Sequence, residues 1–272
     1  MSVEANQNKA HEPYQQITVE QVDAVLRITL NRPERMNAWT PTMMGELTTV
    51  VGAANDDPSI GAIIVTGAGR GFCAGADIQA VFEAGIEGDD TSSSEPAPRR
   101  TDWVRLCRES KPMIAAINGA SIGVGLTLVL PFDQIIAARG AKLSARFVKM
   151  GLVPELASSH FLVARCGFGA ASWLALSGAT VLAEEAKDMG LVDRVVEPEA
   201  LADEAMAMAT ELAGNPPTQL RLIKELLSAN ANESDLAAVQ RREIDALNLA
   251  YKTPEHVEAV KAFMEKRPPV FR

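Results

Sequence analysis

Only three histidines, three cysteines and 5% aromatic residues occur among 272 positions, and each scarcity narrows what the chain can be. His11, His160 and His256 stand far apart and form no His-x-x-x-His pair or Cys/His cluster, so no metal site is expected. Cys73, Cys107 and Cys166 show neither close pairing nor Cys-x-x-Cys spacing, which excludes a disulfide framework. The N-terminal MSVEANQNKAHEPYQQ carries no apolar signal segment, and together these features point to a reducing, cytoplasmic setting. The longest apolar stretch, Met113 to Phe132, is broken by Asn118, Ser121, three glycines and Pro131. It reads as strand, turn and helix, so no membrane span or membrane partner is expected. Positive charge is short as well: the formal net charge is −9, and the scattered basic residues argue against nucleic acid as a partner.

What is present suffices for a soluble globular fold. With 47% hydrophobic residues the chain can bury a full core, as one large domain or a domain with an appendage. Residues 1–15 read as a polar tail. From Ile17 to Leu30 the alternation of ITVEQVDAVLRITL predicts a strand hairpin. Thr40-Pro41 supplies a cap and a first-turn proline, and Met43, Met44, Leu47, Val50, Val51 and Ala54 recur at helical spacing. A strand GAIIVTG (61–67), a loop AGRGFCAGAD and a helix near Ile78–Phe82 follow, then a polar segment from Gly85 to Arg100 that reads as a long loop bordering a site. A second strand (112–118), turn GASIG (119–123) and helix VGLTLVL (124–130) repeat the order. After a strand-like FDQIIAARGAKLSA, helices are expected from near Pro154, over Ala170–Leu176 and over AEEAKDMG, and a strand in LVDRVVE. The expected core ends near residue 197; residues 198–272 read as four amphipathic helices.

Three motifs offer chemistry. Gly67-Ala68-Gly69-Arg70-Gly71-Phe72 begins like a dinucleotide loop, but its sixth position is Phe and no acid follows at the expected distance, so a nicotinamide cofactor is not expected. Gly119-Ala120-Ser121-Ile122-Gly123 matches the nucleophile-elbow pattern, with Asp235 or Asp245 and His256, or His160, as triad partners. No His-Gly-Gly segment precedes it, and a small turn residue is the better reading of Ser121. Third, Gly75-Ala76-Asp77 and Gly123-Val124-Gly125 each lie at a strand-to-helix turn, where small residues let backbone amides approach a ligand. Two such turns facing one point would make an oxyanion hole; glycines serving only tight packing are an equal alternative.

The runs NRPERMNAW (31–39), GRGFCAGADI (69–78), KPMIAAINGASIGVGL (111–126), GLVPE (151–155) and EEAKDMGLVDRVV (184–196) resemble the crotonase superfamily, the enoyl-CoA hydratase/isomerase family, across nearly the whole chain. The resemblance implies an α/β fold, a spiral of strand-strand-helix units with a C-terminal helical region that mediates trimerisation, often as a dimer of trimers. It implies an acyl-CoA thioester as substrate and no cofactor beyond its coenzyme A moiety. The oxyanion donors would be the amides of Ala76 and Val124; many relatives have glycine at the second position. Coenzyme A contacts would fall at Arg35, Met36, Ala74, Ala76, Asp77 and Ile78, with Phe263 and Lys266 reaching it from a neighbouring chain or the C-terminal helix. Arg35 and Lys266 would be the local cations an anionic ligand needs on an acidic protein.

Departures from the family pattern bear on the reaction. The two glutamates used by the family's hydratases align with Thr127 and Phe147, neither of which can serve as a base near neutral pH. Glu155, directly after the GLVP element, matches the single acid of some family isomerases. With Phe147, Leu152, Val153 and Leu156 as apolar neighbours its pKa should rise, which suits a proton shuttle; a charge at a helix start is the competing explanation. The expected activity is therefore a double-bond shift in an enoyl-CoA (Δ3,Δ2-enoyl-CoA isomerase type). Hydration of an enoyl-CoA, or acyl-CoA binding without turnover, are the alternatives.

Overall fold

A computed structural model describes residues 14–80 and 102–272. The expected tail, apart from its last two residues, and the loop from Gly85 to Arg100 lie outside the described residues. The hairpin is present: β1 (Ile17–Val22) pairs antiparallel with β2 (Val25–Leu30). Helix α1 (Pro41–Asp56) starts as predicted, with the Thr40 hydroxyl accepting from the Met43 amide at 3.1 Å. Strand β3 (Ala62–Gly67) follows, then β4 (Gly71–Cys73), α2 (Trp103–Glu109), β5 (Met113–Ile117), β6 (Ala120–Ile122) and the single turn α3 (Val124–Thr127). The remainder comprises β7 (Gln134–Ala138), β8 (Lys142–Ser144), α4 (Ser158–Ser177), β9 (Val181–Leu182), α5 (Ala183–Asp188) and β10 (Arg194–Val196). Four helices close the chain: α6 (Leu201–Ala213), α7 (Pro217–Asn230), α8 (Leu236–Ala250) and α9 (Pro254–Glu265).

The strands divide between two sheets. One is six-stranded in the order β1-β2-β3-β5-β7-β10, parallel from β2 onward; the other is four-stranded in the order β4-β6-β8-β9. Three successive strand pairs, β3/β4, β5/β6 and β7/β8, each place the first strand in the large sheet and the second in the small one. This is the strand-strand-helix spiral that the family resemblance implied. The central strands β3, β5 and β7 are buried on both faces, which is why they are nearly continuously apolar, whereas β1 and β2 alternate. Ile63, Val65, Met113, Ala115, Ile135 and Ala137 face the main core with α1 and α2. Their sequence neighbours Ala62, Ile64, Ile114, Ala116, Ile136 and Ala138 face α6 through Leu201, Ala205, Ala209 and Ala213. The four-residue spacing of that alanine stripe lets α6 lie close against the sheet, so the first C-terminal helix is packed as core.

Four local expectations are corrected. The segment read as the loop AGRGFCAGAD contains β4, and the turn GASIG contains β6, strands of three residues that periodicity cannot reveal. The helix read over 124–130 stops at Thr127. The helix expected from Pro154 begins at Ser158, because Leu156 and Ala157 both take a left-handed backbone at φ 53°.

Candidate active site

The two glycine turns come together. A Cβ on Gly125 would stand 2.2 Å from the Cys73 carbonyl oxygen, and one on Gly75 would stand 3.3 Å from the carbonyl oxygen of Ile122. The turn after β4 and the turn after β6 therefore abut through backbone, which requires glycine at 125. Gly75 (φ 110°) and Gly123 (φ 55°) carry the left-handed conformations, leaving Val124 helical as the first residue of α3. Val124 is thus able to present its amide as a glycine would.

The direction of these amides follows from local pairing. Trp39 and Ala76 form a parallel bridge in which the Trp39 amide donates to the Gly75 carbonyl and the Asp77 amide to the Trp39 carbonyl, each at 2.8 Å. Ala76 points its own N–H the other way. The Val124 N–H, at a helix start, has no intrahelical acceptor. Among the described residues neither amide has a hydrogen-bond acceptor. Two unpaired amides on abutting turns are able to donate to one oxygen.

Glu155 lies near α3. Its Oε1 accepts a hydrogen bond of 2.5 Å from the hydroxyl of Thr127, a residue with no exposed surface. Taken whole, Glu155 is exposed in the single chain, so it is the carboxyl end that is drawn into the protein. Loss of water there pushes its pKa above the ordinary 4.5, and the Thr127 hydrogen bond opposes that rise. Of the apolar neighbours expected, Phe147 is buried and Leu156 packs on the main core, whereas Leu152 and Val153 are exposed. Glu155 stands outside the first turn of α4; its backbone carbonyl accepts from the Ser158 amide at 3.0 Å. The helix-dipole explanation for this acid therefore loses its footing.

Six of the residues expected to contact coenzyme A share one rim. The chain from Arg32 to Trp39 is fastened to the 67–77 segment: the Ala74 amide donates to the Met36 carbonyl at 3.0 Å, and Asn37, fully buried, donates to the carbonyls of Ala68 and Gly71. Arg35, Ala74, Ala76 and Ile78 are exposed along it, and Met36 and Asp77 are half-buried. Asp77 is committed structurally. It pairs with Arg32 at 2.9 Å, accepts from the Ala80 amide, and is held below the usual carboxylate range chiefly by the Arg32 hydrogen bond. Sequence reasoning missed Arg32 and Asn37, although both lie in NRPERMNAW. Phe263 and Lys266, on or just after α9, are exposed, and among the described residues no hydrogen bond or ion pair joins α9 to this rim.

The elbow reading of Ser121 is excluded by its surroundings. The residue is fully buried in β6 with its hydroxyl donating to the Gly125 carbonyl at 3.0 Å. Asp235 caps α8, His256 packs edge-on against Tyr251 and His160 against Phe161. No group of three or more His, Cys, Asp or Glu among the described residues is arranged to hold a metal ion.

Known proteins resemble this chain along nearly its whole length. The family description "Enoyl-CoA hydratase/isomerase" matches residues 20–272. The chain is 39% identical over 254 residues to the 1,2-epoxyphenylacetyl-CoA isomerase of Escherichia coli K12, covering 91% of this chain and 94% of that protein. It is 36% identical over 258 residues to a Mycobacterium bovis protein named "Probable enoyl-CoA hydratase", covering 95% and 98%. Among solved structures, the enoyl-CoA hydratase of Bacillus anthracis superposes with a TM-score of 0.85 at 31% identity, covering 94% of this chain and 99% of that one. The chain thus belongs to the enoyl-CoA hydratase/isomerase family, within the crotonase superfamily.

Proposed function

We propose that this enzyme moves the double bond of an enoyl-CoA from C3 to C2, with Glu155 as the single base and the amides of Ala76 and Val124 as oxyanion donors. The observation that carries this reading is the direction of Glu155 at α3, where the Thr127 hydroxyl donates to it; the family resemblance adds that Thr127 and Phe147, both buried, stand where the two hydratase glutamates are expected. Hydration would need one group to activate water and another to protonate the α-carbon. A double-bond shift needs only one. Glu155 takes the proton from C2, and the electron pair of the C–H bond moves into the conjugated system as a dienolate. Its oxygen is held by two amides, each worth about 3–4 kcal/mol in related sites. The same carboxyl then returns the proton to C4, restoring the thioester carbonyl with the double bond at C2. A carboxylate with a raised pKa gives and takes that proton more evenly than an ordinary one.

The relative named a 1,2-epoxyphenylacetyl-CoA isomerase supports isomerisation as the reaction class and suggests a ring-bearing acyl group as a second substrate reading. The coenzyme A moiety would lie along the Arg35–Ile78 rim. Phe263 and Lys266 would reach it from a neighbouring subunit of a homotrimer or homohexamer. Exposed apolar residues on α8 and α9, including Ile244, Leu247, Phe263 and Met264, support such an assembly. The deciding experiment compares kcat/KM on 3-enoyl-CoA, 2-enoyl-CoA and aryl-acetyl-CoA epoxides. Hydration of 2-enoyl-CoA outrunning every isomerisation would reject the proposal.

A further inference from the structure

We infer that Thr127 is a positioning residue for this base: its hydroxyl holds Oε1 of Glu155 and leaves Oε2 to carry the proton between the two substrate carbons. The inference rests on the reading of Glu155 as the single base. It begins from how few choices the Thr127 hydroxyl has. The side chain is fully buried in α3, and its hydroxyl is near two acceptors, Glu155 Oε1 at 2.5 Å and the Val124 carbonyl at 3.4 Å. The first distance belongs to a charge-assisted O–H···O bond; the second is too long to compete. The hydroxyl is thereby committed to the carboxyl group.

Glu155 has little else to define it. It sits on a segment whose next two residues are left-handed, and among the described residues Oε2 receives no hydrogen bond. No charged side chain of the described residues is among the influences on its proton affinity, which are burial and the Thr127 hydroxyl. A glutamate with three rotatable bonds and one fixed oxygen has one free oxygen to offer. Thr127 also stands three residues after Val124, and its amide donates to Gly123 at 3.0 Å. One helical turn therefore registers the base against the amide assigned to the dienolate oxygen. The step balances on Oε2 alone: the C2–H bond breaks as O–H forms there, and the O–H bond breaks as C4–H forms.

Thr127→Val removes the hydroxyl at nearly constant volume, and Thr127→Ser keeps it. Three readouts separate positioning from mere packing: the acid limb of the kcat/KM profile on a 3-enoyl-CoA, the titration of the Glu155 carboxyl followed by ¹³C NMR and assigned with Glu155→Gln, and deuterium gained at C4 during turnover in D2O. Removing a hydrogen bond to a charged group is expected to cost about 10- to 100-fold in kcat with KM little changed. In Thr127→Val the acid limb and the carboxyl titration should both move to higher pH. Deuterium at C4 should rise, because an unheld carboxyl exchanges its proton with solvent before returning it. Thr127→Ser should restore all three. If Thr127→Val leaves the titration and the label unchanged while Glu155→Gln abolishes turnover, positioning is overturned and the base survives. Turnover that ignores Glu155→Gln overturns both.

Discussion

Gly125→Ala separates the two turns that hold the proposed oxyanion amides, and its cost follows from three distances. The added methyl would stand 2.2 Å from the Cys73 oxygen, 2.8 Å from its Cβ and 3.0 Å from its carbonyl carbon. The oxygen must recede by about 0.8 Å merely to reach 3.0 Å, and two of the three atoms are backbone, so no rotamer change relieves the clash. Overpacking of this kind costs about 1–3 kcal/mol. At roughly 2–4 °C per kcal/mol for a chain of this size, Tm should fall by about 2–12 °C. Cys73 lies three residues before Ala76, so its displacement carries the Ala76 amide with it. Misplacement near 1 Å costs about 100-fold, and outright loss of one oxyanion donor about 100- to 1000-fold. Thermal denaturation paired with steady-state turnover, assayed well below the variant's Tm, measures both effects on whichever enoyl-CoA the wild type consumes. A variant within about twofold in kcat would refute the convergence of these turns on a reacting oxygen.

Two further expectations concern acidity and assembly. Because the folded pKa of Glu155 is raised above its ordinary 4.5, the folded state binds the extra proton more tightly than the unfolded chain. That contribution to stability is fully present below pH 4.5 and is lost as pH rises through the folded pKa. Glu155→Gln should therefore raise Tm relative to wild type at pH 7, with the advantage vanishing toward pH 4, while the activity of the wild type falls on its acid side through the same raised pKa. A variant less stable than wild type at pH 7 would contradict the desolvation that sets this carboxyl apart. Light scattering should return the mass of a trimer or hexamer, and Phe263→Asp or Met264→Asp should shift it downward; a monomeric wild type would contradict the route by which Phe263 and Lys266 reach coenzyme A from a neighbouring subunit.

Much of the fold could be read from the chain because its signals are local. The β1–β2 alternation, the Thr40-Pro41 start of α1 and the four amphipathic C-terminal patterns each depend on residues within one element. Of the small sheet only β8 falls in a stretch read as strand-like; β4, β6 and β9 could not be read, since they are two or three residues long and are defined by pairing. Pro154 marked the wrong helix start because the left-handed turn at Leu156 and Ala157 leaves no compositional trace in non-glycine residues. The site divided in the same way. The glycine turns were legible in the pattern of small residues, and Glu155 through the family resemblance. The Thr127–Glu155 contact joins residues 28 apart in sequence, and the Arg32–Asp77 pair joins residues 45 apart. Both are products of the fold bringing distant loops together, and neither residue type announces its partner.

The most direct test of the mechanism is the kcat of Glu155→Gln on a 3-enoyl-CoA, with the variant's fold verified by its Tm. Removal of a lone general base is expected to lower kcat by about 100- to 10,000-fold while binding of the coenzyme A thioester is retained. Turnover unchanged from wild type would show that another group moves the proton, and the assignment of Glu155 would fall.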